Sequence, residues 1–204
     1  MTDPSPPPDR SAILEHARAA LALRIRAGYE SLDDVITVTL ESVTDDVAVD
    51  EPEELAAAVR AIAVEQVARL RAERSTWPAT TDNDRLERAF AALEAAGIVA
   101  RENFTCCQNC GHTEIEDEIE ATRSAGRAVR GYTFFHQQDT ERAADGDGVL
   151  LAYGVAGKDV EAVEIGREVA GALRAAGLSV SWSGEVSRRI GVSMEWRKSK
   201  RGLP

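Results

Sequence analysis

Apolar residues in the first third of the chain recur at helical spacing. Leu14, Ala17, Leu21 and Ile25 mark one face, and Gly28 is the expected stop. Ser31 with Asp34 predicts the cap of a second helix through Leu32, Val35, Ile36 and Leu40. Its run Val-Ile-Thr-Val-Thr also suits a strand, because β-branched side chains pack well on a pleated surface. Pro52 fits the first turn of a long helix whose stripe is Leu55, Val59, Ile62, Val67 and Leu70, ending near Ser75.

The pattern then changes period repeatedly. Asp84, with Glu87 three residues on, predicts the cap of a helix that buries Leu86, Ala89, Phe90 and Leu93. Gly97 is its expected left-handed end, and a strand over 98–104 follows. Thr113 with Glu116 reads as a capping box for a helix with Ile115, Ile119 and Thr122 inward. Glu114, Asp117, Glu118 and Glu120 face out, and acidic residues in a first turn suit the helix dipole without any ligand. A strand over 131–138, a short helical and tight turn over 139–148, and a buried strand over 149–155 come next. A helix over 159–176 carries Ala162, Ile165, Val169, Ala172, Leu173 and Ala176, closed by Gly177. Alternation over 178–184 and 189–196 predicts two last strands, paired as a hairpin with Trp182 and Trp196 near each other.

The order β-α-β-β-α-β plus one strand predicts an α+β fold, a helical region followed by a ferredoxin-like sheet with one extra strand. The expected divisions are a proline-rich disordered leader (1–10), a helical region (11–80), the ferredoxin-like domain (81–197) and a basic tail (198–204).

Charge narrows the function. The net charge is −11, and the first 97 residues hold 10 basic against 19 acidic side chains, the remainder 14 against 16. An acidic chain lacks the basic surface that supplies most nucleic-acid affinity, so nucleic acid is not the expected partner. The last twenty residues, basic through Arg188, Arg189, Arg197, Lys198, Lys200 and Arg201, read first as a solvated end. No apolar run approaches the ~18 residues of a membrane helix, and "MTDPSPPPDR" lacks the layout of a secretory signal. Three cysteines, odd in number and crowded together, do not make a secreted disulfide framework. The expectation is a cytoplasmic protein with reduced thiols.

The blocks "TDNDRLERAFAALEAAGIVARENFTCCQNCG", "GYTFFHQQDTE" and "LLAYG" resemble an uncharacterised family of bacterial proteins known as a domain of unknown function. The resemblance spans about Thr81 to Gly154. It implies a small soluble bacterial protein with no assigned activity, substrate or cofactor, and it carries over no catalytic residue.

The stretch "FTCCQNCGHTEI" holds all three cysteines. Zinc takes four nitrogen or sulfur ligands in a tetrahedron, and cysteines two residues apart on a tight turn can share it. Cys106, Cys107, Cys110 and His112 are local candidates, and His136 is a distant fourth ligand. A second Cys-x-x-Cys, which would make the signal specific, is absent. A second reading is thiol redox chemistry at Cys107 and Cys110, weakened because the helix is expected to start near Thr113, which leaves Cys110 outside its first turn. A third reading is that the cysteines are small packed side chains. His136 with Asp139 and Glu141 outlines a general base for a hydrolase, although a histidine at a strand end is more often a hydrogen-bonded structural residue. No phosphate loop, EF-hand, nucleophile elbow or zinc-protease motif occurs, which argues against an enzyme of familiar type. The leading expectation is a non-catalytic interaction or regulatory protein with a protein partner and a zinc-binding turn.

Overall fold

A computed structural model describes residues 10–45, 51–157 and 160–198. The expected leader except Arg10, and all of the basic tail except Lys198, lie outside these residues. The chain divides into two compact units between Trp77 and Pro78.

The first unit is helical: α1 (Arg10–Ala27), α2 (Leu32–Thr44) and α3 (Pro52–Arg74). The α1 stripe is buried as expected at Ala17, Leu21 and Ile25, with Ile13 added and Leu14 only partly covered. Gly28 follows with φ 77°, a left-handed value that glycine adopts without a Cβ clash. The Ser31 hydroxyl accepts the Asp34 N–H, and the β-branched run is helical. Val35, Ile36 and Val43 on α2 meet Leu55, Val59, Ile62, Ala63, Val67 and Leu70 on α3 in the core of this unit. Burying each such side chain contributes roughly 1.5–3 kcal/mol, and that packing decides between helix and strand here.

The second unit runs α4 (Asp82–Ala95), β1 (Ile98–Arg101), α5 (Gln108–Ser124), β2 (Gly131–Phe134), α6 (Gln137–Ala144), β3 (Val149–Val155), α7 (Ala162–Ala175), β4 (Ser179–Ser181) and β5 (Ile190–Ser193). It is an α+β unit with a mixed five-stranded sheet ordered β1-β2-β3-β5-β4. β1 and β2 are parallel neighbours, with Ile98 opposite Gly131 and Arg101 opposite Phe134. The ferredoxin-like plan would insert a strand between them, so the first βαβ unit is not split. The other pairings are antiparallel: β2 with β3, β3 with β5, and β5 with β4. β3 and β4 therefore run in the same direction with β5 between them, and the split βαβ arrangement forms there, around α7.

The last two strands form the expected hairpin, with Ser179 opposite Ser193. Its two tryptophans pack on different partners. Trp182 lies edge-on to Tyr153, ring centroids 5.7 Å apart, and Trp196 lies edge-on to Phe135 at 6.1 Å. On one sheet face Phe135 meets Phe90 of α4, and Gly131 leaves room for Ile165 of α7. On the other face Ile115 and Ile119 of α5 join Val99, Phe134 and Ala152 in a sealed cluster.

Several boundaries differ from the sequence expectation. The α4 cap is Thr81, not Asp84: Asp84 donates its N–H to the Thr81 hydroxyl and accepts the Thr81 N–H on its carboxylate. β1 stops at Arg101, because Asn103 and Thr105 take left-handed φ values of 49° and 57° that no strand accommodates. α5 begins at Gln108 rather than at Thr113, whose hydroxyl donates back to the Asn109 carbonyl inside the helix. β2 ends at Phe134, and His136 caps α6.

Candidate functional site

The cysteines sit where β1 hands over to α5. After Arg101 the chain makes a turn whose backbone is tied to the segment beyond β2. Phe135 N–H donates to the Arg101 carbonyl, Phe104 N–H to the Phe135 carbonyl (2.8 Å), and Gln137 N–H to the Thr105 carbonyl (3.1 Å). Thr140 donates its hydroxyl to Asn103 Oδ1 at 2.8 Å. These bonds hold two strained left-handed residues immediately before the cysteines.

Cys107 occupies the N-cap of α5, where serine, threonine or aspartate is usual. Its sulfur makes no cap hydrogen bond of ordinary geometry, yet it lies against the backbone N–H of Cys110, the Cys110 thiol and the N–H of Asn109. Those donors, the Cys110 N–H first, hold its thiol below the usual range. Cys110 falls inside the first turn of α5, three residues past the cap. Hydrogen bonding to the Cys106 and then the Cys107 sulfur pushes its thiol up to about 12. Cys106 is exposed, and Cys107 and Cys110 are half-buried. The sulfurs of Cys106 and Cys110 are 3.4 Å apart, and all three sulfurs lie within 4.8 Å of one another. Four sulfurs around a zinc ion at ~2.3 Å stand about 3.8 Å from each other, so the triangle is already near ligand spacing.

Gly111, the next residue, lets α5 approach the sheet. A Cβ there would stand 2.6 Å from Cζ of Phe134 and closer still to Cε2. Phe134 is fully buried, stacked by Tyr132 and met edge-on by Phe104 and His112.

The two histidines stand outside the sulfur group. His112 has both ring nitrogens engaged. Nδ1 is 3.1 Å from the Tyr132 hydroxyl, and Nε2 is 3.4 Å from the Gln108 amide nitrogen. A neutral ring suits both contacts, with Nδ1–H donating to Tyr132 and Nε2 accepting from Gln108. Burial, then the nearby Arg189 charge, pushes its pKa down. His136 is buried and faces Asp139. Its Nε2 is 3.0 Å from Asp139 Oδ2, its Nδ1 receives the Asp139 N–H, and its own N–H donates to Oδ2. Arg189 also pairs with Asp139 Oδ2 and donates to the Leu150 carbonyl. The contacts on His136 and Asp139 do not include Glu141. The arrangement caps α6 and neutralises a buried carboxylate; both functions occupy the groups that a general base would need.

Sequence reasoning missed Arg189, which it placed in a solvated basic end. It also missed Tyr132, which lies over Gly154 and takes His112. Neither had a short-range signal, because each acts through strand register.

The family described as Domain of unknown function (DUF6891) matches residues 10–200. The chain belongs to that family. The match takes in both units, and so the cysteine turn lies within the DUF6891 segment. No curated protein and no solved structure matches this DUF6891 chain. No helix among its described residues is long and apolar enough to cross a membrane.

Proposed function

We propose that this DUF6891 protein is a non-catalytic regulatory or interaction protein whose cysteine turn binds zinc through Cys106, Cys107 and Cys110. The observation that carries the reading is the triangle of sulfurs at the start of α5, all within 4.8 Å of one another. Thiolates select zinc and other soft ions over magnesium or calcium. The helix N-terminus supplies positive potential, which favours the anionic thiolate state that a metal requires. With His112 held by Tyr132 and Gln108, and His136 by Asp139, the fourth position falls to water or to a ligand from a partner.

Metal analysis of protein purified without chelator, joined to a thiol count, tests this. The expected result is one zinc ion per chain, lost in Cys110→Ser and retained in His112→Ala and His136→Ala. Metal-free protein with three freely titrating thiols and no zinc uptake would sink the reading.

Thiol redox chemistry at Cys107 and Cys110 has its own support, because α5 starts early enough to put Cys107 at the cap and Cys110 in the first turn. One nucleophilic and one protonated thiol three residues apart suit disulfide exchange. A reversible Cys107–Cys110 disulfide in protein that takes up no metal would favour that reading.

A further inference from the structure

We propose that the sulfurs holding the metal are also a two-electron switch, in which oxidation joins Cys106 to Cys110 and expels the ion. The inference rests on the metal reading above. The two sulfurs are 3.4 Å apart. A disulfide needs about 2.05 Å, so closure requires a relative movement of only ~1.4 Å. Cys106 is exposed and lies before the cap, where its side chain turns without meeting a preceding helical turn. Cys110 is fixed on α5, which Gly111 seats against Phe134. The pair therefore has one accessible, movable member and one anchored member.

The electrons come from sulfur, since zinc has no redox chemistry of its own. A peroxide is the oxidant. One thiolate attacks it, the O–O bond breaks and a sulfenic acid forms; the second thiolate then displaces the sulfenic oxygen. Two thiolates lose two electrons in total, the S–S bond forms, and the peroxide oxygens leave as two waters after taking up two protons. The zinc ion departs as a divalent cation. Cys107 remains as a single thiolate, too few ligands to retain it. Reduction by a dithiol restores both ligands.

The test uses the full chain loaded with zinc, hydrogen peroxide as titrant, a chromogenic chelator to follow release, and peptide mapping for the bond. Zinc release should run at least tenfold faster than without peroxide, in step with loss of two of the three thiols. Mapping should find Cys106 linked to Cys110. In metal-free protein, Cys107→Ser should still close this bond and Cys106→Ser should not. Zinc retained after two thiols are lost, or a bond that involves Cys107, overturns the proposal. If the untreated protein takes up no zinc, the metal reading fails first, before any peroxide is added, and this inference falls with it.

Discussion

Replacing Gly111 with alanine tests whether the contact between α5 and Phe134 fixes the cysteine turn. Gly111 lies in the helix, so alanine gains up to about 1 kcal/mol of helix propensity. The added Cβ, however, would press on the Phe134 ring at Cζ and Cε2. That ring cannot retreat, being fully buried among Tyr132, Phe104, His112, Ile115 and Ile119. Overpacking of this kind costs about 1–3 kcal/mol, and a ring sealed on every side argues for the upper end. The net expectation is a loss of ~2 kcal/mol, or a Tm lower by roughly 6–10 °C for a unit of this size. Gly171→Ala is the control. It too lies mid-helix, in α7, but is exposed with nothing within 4 Å of its Cβ. It should gain about 0.5–1 kcal/mol. Urea unfolding followed by near-ultraviolet circular dichroism of the aromatic residues measures both. Gly111→Ala as stable as the parent, or both variants shifting the same way, would refute the packing argument.

Zinc affinity should rise about tenfold or more per pH unit between pH 6 and 8, because Cys110, its thiol pushed up to about 12, must give up a proton to the ion; chelator competition at several pH values checks it. His136 has a folded pKa below its ordinary 6.5, so the unfolded chain binds the extra proton. Stability should therefore be full above about pH 6.5 and fall as the pH drops through that value, and His136→Asn should flatten this part of the Tm-against-pH curve; parallel curves would count against it. Lys198→Met should cost roughly 1–3 kcal/mol in urea unfolding, because Lys198, 4% exposed at its side chain, lies between the partly exposed carboxylates of Glu87 at 3.3 Å and Glu102 at 2.9 Å, which would lose this partner.

The helical stripes were legible because burial follows the 3.6-residue period: Leu21, Val59, Leu93 and Val169 are all buried. The helix starts at the site were not. Sequence reading finds caps by their oxygens, and the two helices that matter here are capped by Cys107 and His136. Thr113 and Glu116 imitated a capping box six residues late. The same blindness hid the position of Cys110, which the structure moves into the first turn of α5. The start of α5 fixes Cys107 at the cap and Cys110 in the first turn, while Cys106 is placed by the turn before the helix. That the histidines are engaged elsewhere follows from the partners Tyr132 and Asp139, one across an element boundary and one in the cap of α6. The sheet order was hidden for another reason: strand sequence does not say which strand enters between β3 and β4.

The segment after β5 ties the end of the domain to its start. Glu195 N–H donates to Asp82 Oδ2 and Arg197 N–H to Asn83 Oδ1, joining residues 113 and 114 positions apart. During synthesis that clasp has no second half until the last residues of the domain emerge. At ~5–20 residues per second, the cysteine turn waits on the order of ten seconds between its own synthesis and the closing of the domain around it. In that interval Cys106, Cys107 and Cys110 are carried on a chain whose first and last segments are not yet joined.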